Sequence, residues 1–222
     1  MDEIVTQGMT LLMEGNVEDA VCKLLIGYHR HCESLAVTQE DIDNSLHAHG
    51  REELSFRVPA ISLQNAVDVE MEFVSNGNEF RLFDCGFVLE ADAVSIRSPL
   101  GQVALSAVIM YNIGVIFHLL GAFPCEEEDL AKAFFMYSKA TETLQRYQLQ
   151  GTPLEELELA IYCNMGHVYS YMLDEKGMNS CRHEIRKRLN RLDASRIDPG
   201  NLQFFRDSIG LSTGLFDRAP AA

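Results

Sequence analysis

Residues 112–117 read Asn-Ile-Gly-Val-Ile-Phe, and residues 164–169 read Asn-Met-Gly-His-Val-Tyr. Both stretches place an asparagine, a glycine and an aromatic residue at the same spacing within an otherwise apolar run. On a helix, such a glycine lets a second helix pack closely, and the aromatic side chain fills the groove between them. The repeated spacing therefore predicts pairs of packed helices.

The sequence around these stretches carries apolar residues at helical spacing. It predicts helices over about 2–14, 17–33, 99–121, 126–149, 152–173, 177–192 and 199–209. Gly15-Asn16 ends the first of them because glycine tolerates the left-handed conformation. Ser98-Pro99 and Asp198-Pro199 each supply a capping residue followed by a proline suited to a first helical turn.

Residues 34–98 interrupt this pattern. Residues 54–58 and 67–73 alternate apolar and polar side chains, as strands with one buried face do. Asn76-Gly77 is a strong hairpin signal, and residues 84–86 suggest an exposed break in a later strand-like stretch. We predict an insertion that contains a small β-hairpin, which lies against the helices because an isolated hairpin is marginally stable.

Three helix pairs resemble the tetratricopeptide repeat (TPR), whose core reads L-G-x-x-Y in the first helix and A-x-x-x-F in the second. The period departs from the family's ~34 residues because the insertion and longer helices separate the pairs. The resemblance implies an all-α fold: a single domain over 1–215, an α-α superhelix of TPR-like helix pairs with a small β-hairpin insertion, and a flexible tail over 216–222. The residues that carry it are Gly8, Leu11, Gly15, Ala20, Leu24 and Gly27, then Gly114, Phe117, Gly121, Ala133, Tyr137 and Ala140, then Gly166, Tyr169, Met178, Cys181 and Ile185.

The resemblance also implies a protein–protein interaction module, an adaptor or assembly subunit, that binds a peptide or helix in a concave groove. Asn112 and Asn164 suit hydrogen bonding to a ligand backbone. No Lys or Arg occupies the groove positions, so the expected ligand is a neutral or partly apolar helix or strand rather than a C-terminal carboxylate. Whether the insertion fills the groove is left open. The predicted groove residues are Met9, Met13, Tyr111, Asn112, Val115, Asn164, His167 and Tyr171.

The charge distribution narrows the partner class. Net charge is -15; residues 1–175 hold 9 Lys/Arg against 28 Asp/Glu, whereas residues 176–222 hold 9 against 5. An acidic body argues against nonspecific binding to nucleic acid or a membrane surface, so we expect a protein or peptide partner. The basic run is interpreted as a solvated helix face, with a phosphate- or acid-binding patch as the alternative. It comprises Arg182, Arg186, Lys187 and Arg188.

Cysteine usage and one apolar run bear on location. The six cysteines are dispersed and form no C-x-x-C pair, which predicts reduced thiols in the cytoplasm, with the nucleus as an alternative. Residues 103–123 lack charged side chains and are long enough to cross a membrane. Asn112 and His118 near the middle favour a buried core helix instead.

Reactive groups offer a second interpretation, a metal- or thiol-dependent enzyme or sensor. His29, His31 and Cys32 could contribute zinc ligands with loop histidines, and Cys163 and His167 would be neighbours on one helix face. Neither spacing matches an established motif, so we predict no catalytic residue, no metal and no cofactor. His118 and His167 are predicted to be hydrogen-bonded groove or core histidines. Self-association through the hairpin edge would make a homo-oligomer.

Overall fold

The computed structural model describes residues 2–34, 40, 56–63, 80–91, 93–122, 127–146 and 154–210. Helix accounts for 77% of these residues. The helices run over Asp2–Met13 (α1), Val17–Ser34 (α2), Ala93–Arg97 (α3), Pro99–Ala122 (α4), Glu127–Arg146 (α5), Glu155–Tyr171 (α6), Glu175–Leu189 (α7) and Pro199–Ser208 (α8), with a 3-10 turn over Ala194–Arg196. The strands are Phe56–Arg57 (β1), Ala60–Ser62 (β2), Cys85–Phe87 (β3) and Glu90–Ala91 (β4).

The predicted fold class is confirmed at the level of a predominantly helical chain with a small antiparallel β-hairpin. Helix ends also follow the predicted signals. Gly15, at φ 77°, ends α1. The Ser98 hydroxyl accepts from the Gly101 N–H at 3.0 Å at the start of α4, and the Asp198 carboxylate accepts from the Gly200 N–H at 2.8 Å at the start of α8.

The strands form one antiparallel ladder with a constant register. Phe56 lies opposite Ala91, Ala60 opposite Phe87, and Ser62 opposite Cys85. Two further backbone bonds extend the ladder: the Leu63 N–H donates to the Asp84 carbonyl at 3.0 Å, and the Val88 N–H donates to the Pro59 carbonyl at 3.2 Å. Pro59 fits here because a proline can still accept a ladder hydrogen bond.

This ladder corrects one prediction about the insertion. The break expected at 84–86 is wrong, since Cys85 and Gly86 belong to β3. Gly86 is buried there, and a Cβ added to it would overlap the Met9 side chain. The glycine that suggested a break in fact permits a close approach between α1 and the strand. The strand predicted over 67–73, the Asn76-Gly77 turn and the tail over 216–222 lie outside the described residues.

The chain divides into two compact units. The first unit comprises Met1–Glu72 and Asp84–Ile161, and the second comprises Phe73–Phe83 and Tyr162–Ala222. Helix α6 therefore begins in the first unit and ends in the second. The prediction of a single domain over 1–215 stays a prediction.

Close packing at small residues builds the first unit. A Cβ added to Gly8 would lie 2.7 Å from the Leu24 Cγ, and one added to Gly27 would lie 2.8 Å from the Ile4 Cγ2. Both distances fall well inside van der Waals contact, so α1 and α2 approach at glycines on each helix. Helix α5 buries one stripe of residues at helical spacing: Leu130, Ala133, Tyr137, Ala140 and Leu144.

Helix α4 is the central element of the first unit. By length and composition, residues 99–121 could cross a membrane, but 89% of the apolar 18-residue stretch within them is buried inside the structure. A helix that is apolar all round and covered by protein has the character of a core helix. The polar side chains Asn112 and His118 within it are also fully buried, so each needs a hydrogen-bond partner inside the protein.

Candidate functional site

Asn112 holds both backbone groups of one residue of β3. Its side-chain oxygen accepts from the Phe87 N–H at 2.9 Å, and its amide nitrogen donates to the Phe87 carbonyl at 2.7 Å. The ladder explains why these groups are available. Leu63–Asp84 and Pro59–Val88 are hydrogen-bonded pairs, so the intervening Phe87 directs its backbone groups away from β2. The asparagine thus replaces the next strand of a sheet.

Tyr111 extends this arrangement by one position in the strand. Its hydroxyl donates to the Cys85 carbonyl at 3.0 Å, the next outward-facing residue of β3. Its ring meets the Phe87 ring edge-on, with centroids 5.1 Å apart. Adjacent residues of α4 therefore satisfy three outward-facing backbone groups and hold one aromatic side chain of the strand.

Asn164 repeats the same geometry within the second unit. Its side-chain oxygen accepts from the Phe83 N–H at 2.8 Å, and its amide nitrogen donates to the Phe83 carbonyl at 3.2 Å. Asn164 is fully buried. The Asn164 amide thus binds the N–H and the carbonyl of one residue. Such an amide recognises peptide backbone rather than a particular side chain. We call Asn112 and Asn164 the paired asparagines.

The segment that Asn164 holds is anchored by its aromatic residues. Phe80 lies against Gly166, where an added Cβ would come within 2.6 Å of the ring. The Arg182 guanidinium lies 5.1 Å from the Phe80 ring centroid. Phe83 packs against Phe204 and Phe205, with centroids 5.2 and 4.9 Å away. Four residues, 80–83, are thus fixed by one backbone clamp and two aromatic contacts.

The structure places the predicted groove residues in two classes. Met13 is 39% exposed and Tyr171 is 36% exposed, whereas the other six are buried. Phe83 and Phe87 of the chain itself supply the backbone groups that the paired asparagines bind. The buried six therefore offer no free surface here: Met9, Tyr111, Asn112, Val115, Asn164 and His167.

The cations of the basic run divide between packing contacts and solvent. Arg182 is half-buried beside Phe80 and donates to the Asn179 side chain at 3.2 Å. Arg188 pairs with Glu184 and lies 4.4 Å from the Tyr162 ring centroid. Lys187 approaches Glu184 at 3.8 Å. Arg186 is exposed. Two of the four cations therefore contribute to packing inside the second unit.

The thiol interpretation meets a physical obstacle at Cys163. Burial raises the pKa of this thiol well above its ordinary value, an effect only partly offset by a hydrogen bond with Ser208. Burial also lowers the pKa of His167 to about 4. A protonated thiol next to a neutral imidazole is not an activated nucleophile. Burial likewise raises the pKa of Cys181 to about 12.

Among the other candidate groups, His118 makes a structural contact. His118 is a buried core histidine, as predicted, with its Nδ1 3.2 Å from the Tyr137 hydroxyl. Within the described part of the chain, no three His, Cys, Asp or Glu side chains gather as metal ligands. The side chains of His31, Cys32, His47 and His49 are outside that part.

Comparison with known proteins adds no family to this geometry. No family model, no curated protein and no solved structure matches the chain. Function must therefore be inferred from the residues and their contacts. The strongest functional feature is the pair of buried asparagines that hold an extended backbone.

Sequence reasoning identified both asparagines but missed the residues that they hold. Phe80, Phe83 and Phe87 were visible only as apolar positions in an irregular insertion. The alternation of outward-facing backbone groups in a strand was the one signal that could have linked Cys85 and Phe87 to a helix carrying Asn112. No local pattern marks the 52-residue step between the two asparagines as a repeat of the same contact.

Proposed function

We propose that this chain is a protein–protein interaction module, an adaptor or assembly subunit, built of TPR-like helix pairs that bind an extended peptide segment. One observation carries the proposal: Asn112 and Asn164 each engage the N–H and the carbonyl of a single extended residue. Backbone recognition by fixed side-chain amides is independent of which chain supplies the backbone.

Packing supports the same function. The glycines that follow the asparagines, Gly114 and Gly166, both admit an aromatic ring against the helix. Close approach at glycine followed by aromatic packing is what the TPR resemblance implies for each helix pair. In the chain as it stands, residues 80–87 occupy the asparagines, so a partner segment has to compete with them.

A peptide-display experiment tests this function. A library of random twelve-residue peptides is presented to the wild-type chain and to Phe80→Ala, which weakens the internal segment. We expect Phe80→Ala to retain peptides whose binding is lost in the Asn164→Ser version of that variant. The Asn112→Ser version is the matched control, because Asn112 holds Phe87, which Phe80→Ala does not release. Circular dichroism and one-dimensional NMR establish that every variant is folded.

Two results would contradict the proposal. One is that no peptide is retained by any folded variant. The other is that the retained peptides bind equally well when Asn164 is serine. In both cases the paired asparagines would serve only to fix the chain's own hairpin.

A further inference from the structure

Residues 80–83 are held in the second unit by contacts of the kind that bind a peptide ligand. No described strand pairs with these four residues. Their position is set by the Asn164 amide, the bare face of α6 at Gly166 and the Phe204–Phe205 pair. Each contact is made by a helix residue, so the helices form the receptor and the segment forms the ligand.

We propose that the second unit is a receptor for extended segments with two aromatic residues three positions apart, and that Phe80-Arg-Leu-Phe83 occupies it as an internal competitor. This inference rests on the proposed function and narrows it, since it names the partner class as Phe-x-x-Phe. The partner is a protein segment rather than a carboxylate terminus, because the clamp binds an internal peptide unit.

The first aromatic position is specified by the space over Gly166 and by the positive charge of Arg182. Phe80 is 2% exposed, and only glycine at position 166 leaves room for its ring on α6. Arg182 adds a cation–π contact at 5.1 Å, an interaction that favours an aromatic residue over an aliphatic one. An aliphatic side chain would fill the space less completely and would lose that attraction.

The second aromatic position is specified by the backbone and by two rings together. Asn164 fixes both the N–H and the carbonyl of Phe83, which sets the direction of the side chain. The ring then meets Phe204 and Phe205 at tilted angles of 57° and 37°. Such tilted ring pairs are attractive beyond the burial of their apolar area. Between the two anchors, Arg81 is exposed and its guanidinium lies 5.7 Å from the Phe204 ring centroid, which favours a cation there, whereas Leu82 is buried.

Competition from the internal segment sets the affinity that a partner must reach. A short tether gives an effective concentration of about 1 mM. An external segment can bind only the fraction of sites that the internal segment leaves open. Its apparent affinity is therefore its intrinsic affinity multiplied by that fraction. Loss of one internal anchor should reverse this weakening and reveal the site.

Fluorescence anisotropy with a labelled peptide of residues 78–84 tests the inference. The protein forms are wild type, Phe80→Ala, and Phe80→Ala with Gly166→Ala, in which the new methyl group occupies the ring site. We expect the Kd of Phe80→Ala to be at least about tenfold lower than that of wild type. The double variant should return to weak binding, although alanine favours the helix at position 166.

A control peptide with Phe80→Ala and Phe83→Ala completes the design. Equal binding of the two peptides by folded Phe80→Ala would overturn the inference, and so would equal binding by the single and double variants. Should Phe80→Ala lack native circular dichroism, Phe80→Leu takes its place with the same directions of change, because it weakens the internal segment, losing the cation–π contact with Arg182, and leaves the receptor itself unchanged.

The display experiment separates this inference from the broader function. Peptides that depend on Asn164 but lack spaced aromatic residues would sustain the interaction module and reject the Phe-x-x-Phe rule. Failure of all peptides would reject both.

Discussion

The motif Asn-x-Gly-x-x-aromatic occurs once in each unit, and its two copies differ in what the glycine receives. In the first unit Asn112 holds β3, while Gly114 faces the ring of Tyr137 from α5, with an added Cβ 2.7 Å from it. In the second unit Asn164 holds Phe83, and Gly166 faces Phe80 of the same extended segment. The asparagine keeps its role in both copies, whereas the glycine packs a helix in one and a peptide segment in the other.

The aromatic residue that ends each motif compensates for this difference. In the second unit, Tyr169 packs where a Cβ on Gly177 of α7 would overlap it, so the helix contact has moved from the glycine to the tyrosine. In the first unit, Phe117 is half-buried with the Lys132 ammonium 5.5 Å from its ring. The asparagine binds backbone in both copies. The contact with the neighbouring helix is made at the glycine in the first unit and at the aromatic residue in the second.

Replacing each asparagine by aspartate should give the largest effect. Asn112→Asp or Asn164→Asp keeps the shape but removes a donor and buries a carboxylate beside a carbonyl oxygen. We expect a loss of about 4 kcal/mol at pH 7, measured by chemical denaturation. The protonated acid can restore both bonds, so burial should raise its folded pKa above the unfolded value of about 3.9.

The stability of these aspartate variants should depend on pH. A raised folded pKa means that each variant is close to wild type below about pH 4 and loses stability as pH rises through the folded value. The quantity to plot is the difference between wild type and variant at each pH. A pH-independent difference at one of the two sites would show that its asparagine is not satisfied in the way described, and would break the likeness between the units.

Acid should next distinguish the second unit through His167. Burial lowers the pKa of His167 to about 4, below its ordinary value. The unfolded chain therefore takes up the proton first, and folding stability falls as pH drops from about 6.5 to about 4, by about 3 kcal/mol at most. Hydrogen exchange at pH 5 and pH 7 should show earlier loss of protection in α7 than in α5. His167→Gln should remove that difference; its persistence would exclude His167 as the cause.

Alanine at the two motif glycines tests what each one receives. Gly166→Ala should cost about 2 kcal/mol in wild type because the methyl group meets the Phe80 ring. It should be neutral or stabilising in Phe80→Ala, since alanine gains up to about 1 kcal/mol over glycine in a helix. Gly114→Ala should be destabilising in both backgrounds, because its neighbour is Tyr137. Thermal denaturation of the four combinations measures this coupling, and rescue of Gly114→Ala by Phe80→Ala would refute the assignment.

Helix ends give the smallest expected contrast. Helix α1 ends in a Schellman motif, with Asn16 N–H to Leu11 carbonyl at 2.9 Å and Gly15 at φ 77°. Helix α6 ends in the same motif, but Leu173 occupies the left-handed position at φ 54° and is 85% exposed. Leu173→Gly should stabilise the chain by about 1 kcal/mol. Gly15→Ala should destabilise it by a similar amount, and equal effects of the same sign would contradict this account.

The sequence predicted seven of the eight described α-helices because each of these carries a local signal, whereas α3 lies within the predicted insertion and was missed. Gly15, Ser98 and Asp198 mark helix ends by their own conformational and capping chemistry. The pairing of 56–63 with 84–91 could not be predicted in the same way, since strand partners are chosen by tertiary packing and not by neighbouring residues. Gly86 was interpreted as a break because the approach of Met9 is invisible in the sequence.

The candidate site was predictable in its chemistry and not in its occupant. A polar amide in an apolar helix demands a hydrogen-bonding partner, which singled out Asn112 and Asn164. An amide binds every peptide backbone alike, so the residue types alone could not show that the bound segment is internal. Met9 and Met13 lie one turn apart on the same face of α1, yet Met9 is buried and Met13 is exposed. Helical spacing alone could not predict this difference in burial.

The closing pair of the ladder has an engineering consequence. Leu63 and Asp84 lie side by side, joined by a 3.0 Å backbone hydrogen bond, so the chain leaves the ladder and returns to it at one point. Lengthening a connection between neighbouring ends costs only about 0.6 kcal/mol per doubling. A fluorescent reporter or affinity tag inserted between Leu63 and Phe80 should therefore leave the strand register intact. It would place a genetically encoded sensor next to the segment whose displacement signals a partner.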